Sequence, residues 1–275
     1  MGDCPPLEGG RGSQRRPKQM KVTIIPTAQQ AQGINFSGKT AIVIDVLRAT
    51  SVITTALDNG AREVIPVCTV EEAENLYTNS DATTTLRGGE RNAVKIEGFD
   101  LSNSPLEYKK KTVEGKTIIL TTTNGTNAIN NINGANEVVL ACFRNAAAVV
   151  SVIARRNDEA IQKDSALSGL PRFARNDVVI VCAGTEGRFS LDDGLCAGMI
   201  IELLKQQTEV ETDDLGLLLT HYYINSKANL LGALSGCYHL KRLFTLGFYD
   251  DIKFCLETDC VTTVPVCREG KIVKM

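Results

Sequence analysis

Short apolar runs alternate with helix-like segments over the first two hundred or so residues. Residues 22–25, 40–47, 63–67, 117–122, 137–142 and 178–183 are rich in Val, Ile and Thr, with few polar interruptions. Short runs of that composition predict strands buried on both faces, because a strand covered on one face alternates apolar with polar. Between them, 51–59, 70–78, 126–132 and 146–155 carry helical patterning. Gly60 directly follows the first of these, and Gly134 is expected to end the third, as glycine does where a helix stops in a left-handed residue. Strand and helix in alternation predict an α/β fold, a layered α/β/α arrangement with a largely parallel sheet. Ligands in such sheets bind beyond the carboxyl ends of the strands. Asp45, Thr123-Asn124-Gly125-Thr126, Arg144-Asn145 and residues 184–193 fall at those ends.

The pattern changes at about residue 200. Residues 191–204, 212–225, 230–235 and 239–246 predict helices, and 261–267 with 271–273 predict a strand pair turning at Glu269-Gly270. This reads as a C-terminal helical elaboration and a closing hairpin on the same sheet, within one domain over 20–275. Residues 1–19 are rich in Gly, Pro and Arg and lack the apolar core of a signal peptide. They predict a disordered extension, or a natural start at Met20. Arg155-Arg156-Asn157-Asp158 is nearly repeated as Ala174-Arg175-Asn176-Asp177. Deleting 159–177 restores an ordinary helix-to-strand connection, so an inserted loop is expected there, exposed, mobile and remote from the carboxyl ends of the strands.

Composition narrows the class. A hydrophobic fraction of 43% suffices for a buried core, and a net charge of -2 lacks the basic stripe of a nucleic-acid binder. No apolar run is long enough to cross a bilayer. Nine cysteines, an odd number with no Cys-x-x-Cys, argue against a disulfide framework or zinc ribbon and for a reducing cytoplasm.

Three stretches place an acid beside an arginine in what read as loops: residues 44–50 with Asp45 and Arg48, 86–91 with Glu90 and Arg91, and 182–193 with Glu186, Arg188, Asp192 and Asp193. A carboxylate at a strand end holds a hard cation such as Mg²⁺, and a guanidinium forks onto phosphate. The repeated pairing predicts one pocket for a metal and a multiply charged anion. Asp45, Glu90 and Glu186 are the candidate catalytic acids. With Asp192 and Asp193 they form the candidate metal ligands, although Asp45, Asp192 or Ser190 would also serve as helix caps. Arg48, Arg91 and Arg188 are the candidate anion clamps. Backbone around Thr123, Asn124 and Gly125 would hold an anion at a helix start, or form a plain capped turn. Asn103 and Ser104 before Pro105 would bond substrate or shape a turn. The second aspartate that a phospho-aspartate route places two residues after Asp45 is replaced by Leu47. Cys182 reads as core, and His221 and His239 read as helix-face residues.

In this order the motifs resemble the 2-phosphosulfolactate phosphatase family. The matching stretches are 43–51, Gly88-Gly89-Glu90-Arg91, 96–105, 121–126, 182–193, Leu246-Gly247-Phe248 with Asp250-Asp251-Ile252, and Val264-Pro265-Val266. The resemblance runs from Met20 to about Val273, apart from 159–177. It implies Mg²⁺-dependent hydrolysis of the phosphate ester of a small sulfonated hydroxy acid, on a route to coenzyme M. The substrate it implies bears phosphate, sulfonate and carboxylate, a charge that three guanidinium groups suit. A small anionic phosphoester is thus the expected partner, with no nucleic acid or membrane; a homo-oligomer stays open.

Overall fold

A computed structural model describes residues 19–166 and 177–275. Its strands are β1 Met20–Ile25, β2 Lys39–Ile44, β3 Glu63–Val67, β4 Thr85–Arg91, β5 Val94–Lys95, β6 Thr117–Thr121, β7 Glu137–Ala141, β8 Asp177–Cys182, β9 Val210–Thr212, β10 Pro265–Arg268 and β11 Lys271–Lys274. Its helices are α1 Ala28–Ala31, α2 Ala49–Asp58, α3 Val70–Thr78, α4 Lys110–Val113, α5 Gly125–Asn130, α6 Ala146–Ala166, α7 Leu191–Lys205, α8 Asp214–Ser226, α9 Leu230–Leu234, α10 Tyr238–Thr245 and α11 Tyr249–Cys255. The fold is α/β: one mixed, mostly parallel sheet, C-terminal helices and a closing hairpin.

The strands occur in the order β5-β4-β6-β3-β11-β10-β7-β2-β8-β1-β9. β4, β6 and β3 form one parallel block, and β7, β2, β8, β1 and β9 another. The hairpin β10–β11 sits between them, antiparallel to β7 on one side and to β3 on the other. Three antiparallel steps separate the blocks, which therefore run in opposite senses along the ladder. Five steps also separate β6 from β2, and a twist of roughly 20–25° per step turns one block past a right angle to the other. Helices α2 and α5 pack across this seam, each touching strands of both blocks.

The core explains the unbroken apolar strands. On β2, Ile42 and Ile44 pack with Val149 and Ile153 of α6 and Leu195 and Met199 of α7, while Val43 packs with Val52 and Ala56 of α2 and Ile129 of α5. Successive side chains enter different layers, and each buried Val or Ile contributes about 1.5–3 kcal/mol.

Several expected elements change. Residues 86–91, read as a loop, belong to β4; the glycines that weaken its strand pattern are required because a Cβ at Gly88 would run into the Tyr108 hydroxyl and one at Gly89 into the Thr121 carbonyl. α5 stops at Asn130, so Gly134 (φ +74°) turns the chain beyond the helix rather than ending it. β9 and α11 add to the expected elements. α6 continues through Ala166, so the first part of the proposed insertion is helical, and Asp177 at its end opens β8; the residues between, like nearly all of the N-terminal extension, lie outside the described residues. Among the described residues no helix is long and apolar enough to cross a membrane.

Candidate active site

A pocket of about 550 Å³, counting its open mouth, lies where the ends of β2, β4, β6 and β8 meet α10. Asp45, Arg48, Glu90, Asn103, Thr123, Asn124, Glu186, His239 and Arg242 are among its lining residues. β2 ends at Ile44, leaving Asp45 first in a short loop before α2. Its Oδ1 accepts the Ala49 N–H at 3.1 Å, holding the first N–H of α2, but the N-cap position expected for it belongs to Arg48. Asp45 Oδ2 faces Gly125 at the start of α5: a Cβ there would fall 2.6 Å from that oxygen and press on the Ala49 methyl. Gly125 thus lets the two blocks close around Asp45. Gly125→Ala is expected to cut kcat/KM at least about tenfold at a cost of roughly 1–3 kcal/mol in stability; steady-state assays and thermal melts on one preparation measure both.

Glu90 is buried at the end of β4, its Oε1 accepting the Thr123 N–H and its Oε2 the Ala93 N–H, both at 2.7 Å. The Thr126 N–H is taken by Thr122 Oγ1 at 3.1 Å. Two donors that the sequence offers to an anion near this helix start are therefore already satisfied. Asn103 is buried beside them, and its Oδ1 has no hydrogen-bond partner. Arg48 is buried, ion-paired with Asp251 of α11, donating to the Ala93 carbonyl at 3.3 Å and stacked 4.0 Å from the Phe248 ring centroid. Ser104 donates to Asp251 at 2.7 Å; it supports the arginine rather than lining the pocket.

His239 and Arg242 were not anticipated. His239, read as a helix-face residue, does lie on a helix face, but one that looks into the pocket. Arg242 and Leu243 line the pocket one turn on. The i, i+3, i+4 spacing of His239, Arg242 and Leu243 was the available signal, since such positions share one face. His239 Nδ1 stands 3.6 Å from Asp192 Oδ2, whose carboxylate is wholly buried. His221 is exposed on α8.

Residues 25–270 match the family described as 2-phosphosulpholactate phosphatase. The chain belongs to that family. Its relatives include a "Probable 2-phosphosulfolactate phosphatase" of Caldanaerobacter subterraneus subsp. tengcongensis, 51% identical over 84% of this chain and 89% of that one. Proteins of the same name from Clostridium acetobutylicum (40% identical, 92% and 100% covered) and Clostridium botulinum (39%, 93% and 100%) match over nearly the whole chain.

Within this family member, several sequence-predicted residues stand apart from the pocket. The Arg91 guanidinium turns to the Glu90 and Cys68 carbonyls and Thr121 Oγ1, and does not line it. Arg188 is exposed in an adjoining hollow that shares Thr185 and His239 with the pocket. Asp193 is a structural bracket: Oδ1 accepts the Val46 N–H and Oδ2 the Gly184 N–H, both at 2.9 Å, joining the loops after β2 and β8. Asp192 lies behind His239, and Glu186 at the rim is paired with Arg242. Arg144 pairs with Glu257 and stacks on Phe254, and Asn145 holds the Cys142 N–H.

Burial first, then neighbouring charges, shifts the titrations. Burial raises Asp45 to about 6, with the charges of Asp192 and Glu90 adding to it and His239 and the Ala49 N–H opposing. Asp193 is pushed well up by burial and by Asp192 and Asp45. Burial pulls His239 down, but the Asp192 carboxylate, with the charge of Asp45, outweighs it and the net shift is up. Burial, then Asp193 and Asp192, push the Cys182 thiol well up, which disfavours a thiolate nucleophile.

Five acids do not gather as a metal cage. Among the described residues no three His, Cys, Asp or Glu side chains are grouped to hold a metal ion. Mg²⁺ does not require such a cage: it usually keeps waters and binds through one or two carboxylates plus substrate phosphate. Asp45 Oδ2 on the pocket wall fits that mode, with Glu90 lining the same pocket although each of its oxygens already accepts a backbone N–H; Asp193 does not line the pocket.

Proposed function

We propose that the protein is a Mg²⁺-dependent phosphomonoesterase that hydrolyses (2R)-2-phospho-3-sulfolactate to 3-sulfolactate and phosphate, a step of coenzyme M biosynthesis type. The observation that carries this reading is one pocket combining ionisable carboxylates with Arg48 and His239, in a chain that matches the family over 25–270. A phosphate dianion is repelled by Asp45 and Glu90 unless a cation lies between them, and Mg²⁺ bound there would supply that charge and polarise the phosphoryl oxygens.

The chain's own groups do the rest. Arg48, held rigid by Asp251 and Phe248, directs its positive charge at the phosphoryl oxygens as charge grows on them. Asn103 is buried in the pocket wall, its Oδ1 lacking a partner. Water adds to phosphorus as the ester P–O bond breaks, and His239, protonated over Asp192, gives its proton to the departing alkoxide oxygen. The water's proton passes to Asp45 or Glu90, so the products are an alcohol and inorganic phosphate. The free thiols among the described residues suit a cytoplasmic enzyme.

Purified protein is expected to release phosphate from 2-phospho-3-sulfolactate with Mg²⁺ and to stop on addition of EDTA. Release undiminished by EDTA would remove the metal. A folded protein that binds the ester and releases nothing would instead be a phospho-ligand binding protein.

A further inference from the structure

We infer that Arg242 recognises the second acid group of the substrate, and that the Glu186 carboxylate is an internal anion occupying that position until substrate arrives. The inference rests on the phosphatase reading for the identity of the ligand. An ester bearing a carboxylate and a sulfonate beside its phosphate needs a cation apart from the one that holds phosphorus. Arg48 and His239, both of which line the pocket, are taken by the phosphate in that reading. Arg91 and Arg188 do not line the pocket. Arg242 does, and its guanidinium pairs with Glu186, to which Tyr238 also donates at 3.3 Å.

The local backbone is built to present that carboxylate. Thr185 and Arg188 exchange backbone hydrogen bonds at 2.8 and 3.0 Å, leaving Glu186 and Gly187 at the tip of a tight turn with φ of 51° and 77°. Turns of this kind favour Asn, Asp or Gly at both central positions. A glutamate in the left-handed region is uncommon, and Glu269-Gly270 in the β10–β11 turn shares it. Glu186 carries a carboxylate to the pocket rim opposite α10. The Glu186 side chain is 47% exposed, and an ion pair so open to water adds little to stability, so it exchanges readily for a ligand. A guanidinium that grips one carboxylate has the fork to grip a substrate carboxylate or sulfonate. The pocket is then bipolar, with Asp45, Glu90, Arg48 and His239 serving the phosphate and Arg242 the remote acid.

Calorimetric titration of the full chain with two unreactive probes, 3-sulfolactate and inorganic phosphate, tests this. Arg242→Ala is expected to weaken 3-sulfolactate roughly 10- to 100-fold and phosphate by less than about threefold. Glu186→Gln, which removes the competing charge, is expected to tighten 3-sulfolactate severalfold. Equal weakening of both probes by Arg242→Ala, or unchanged 3-sulfolactate affinity in either variant, overturns the inference. Thermal melts of both variants verify that they are folded. The ester assay separates the two failures. Phosphate release by wild type with an Arg242 effect common to both probes leaves the phosphatase standing and removes this inference; no release with Arg242-selective 3-sulfolactate binding does the reverse.

Discussion

Asp45→Asn lowers kcat for phosphate release by about 10²–10⁴ while leaving the fold at least as stable at neutral pH. The asparagine keeps an oxygen for the Ala49 N–H and nearly the same volume, so the start of α2 survives. What is lost is the negative charge that faces Gly125 and the pocket. That charge is expensive in the fold, since burial raises Asp45 from its ordinary 3.8 to about 6. A folded-state value above the unfolded one contributes stability that is complete below about pH 4 and is lost as pH rises through about 6. At pH 7 the ionised carboxylate therefore costs on the order of 3 kcal/mol, which the variant is relieved of. Melts in EDTA should show the variant unfolding at higher temperature than wild type at pH 7, with the gap closing towards pH 4. A variant that is inactive and also less stable at pH 7 would mean that Asp45 serves chiefly to hold the start of α2.

Arg48→Ala is the second large effect, and here stability falls with activity. Arg48 and Asp251 have side chains 2% and 5% exposed. Removing the guanidinium strands a carboxylate whose remaining described partner is the Ser104 hydroxyl. It also empties the face of Phe248. Breaking a buried pair from one side costs about 3–5 kcal/mol, or roughly 10 °C in melting temperature for a chain of this size. Replacing both partners by uncharged residues of similar volume, Arg48→Met with Asp251→Asn, should recover most of that stability. Phosphate release should stay low in the double variant, because no guanidinium faces the phosphoryl oxygens. Recovery of stability and turnover together would show Arg48 to be structural only. Thermal melts and steady-state kinetics on the two variants give both readings.

These expectations mark how far the sequence could be read. β2 and β8 were legible because strands buried on both faces need unbroken Val and Ile, as in residues 42–44 and 178–181. β4 was not, because Gly88 and Gly89 break the pattern for reasons supplied by Tyr108 and Thr121, which lie 20 and 32 residues further along the chain, respectively. Asp45, Arg48, Glu90, Asn103, Thr123, Asn124 and Glu186, marked in the sequence by their strand-end or turn positions, do line the pocket. Arg91 and Arg188 carried the same local signature and do not; the direction of Arg91 follows from Cys68 and Thr121, partners that no local pattern announces, while Arg188 lies in the adjoining hollow.

The sequence alone determined the layered α/β class, the parallel strands, the C-terminal helices and hairpin, and the family, because each depends on local periodicity or on motifs kept in order. Only the tertiary structure decided that the hairpin lies in the middle of the sheet, parting two parallel blocks whose carboxyl ends meet at Asp45 and Gly125. It also brought His239 and Arg242 of α10 across to the pocket and turned Asp193 into a bracket between two loops. Those outcomes depend on sheet twist and on contacts distant in the chain, such as Asp45 with Gly125 and Val46 with Asp193, where charge and hydrogen-bond partners are chosen by the closed fold rather than by neighbours in sequence.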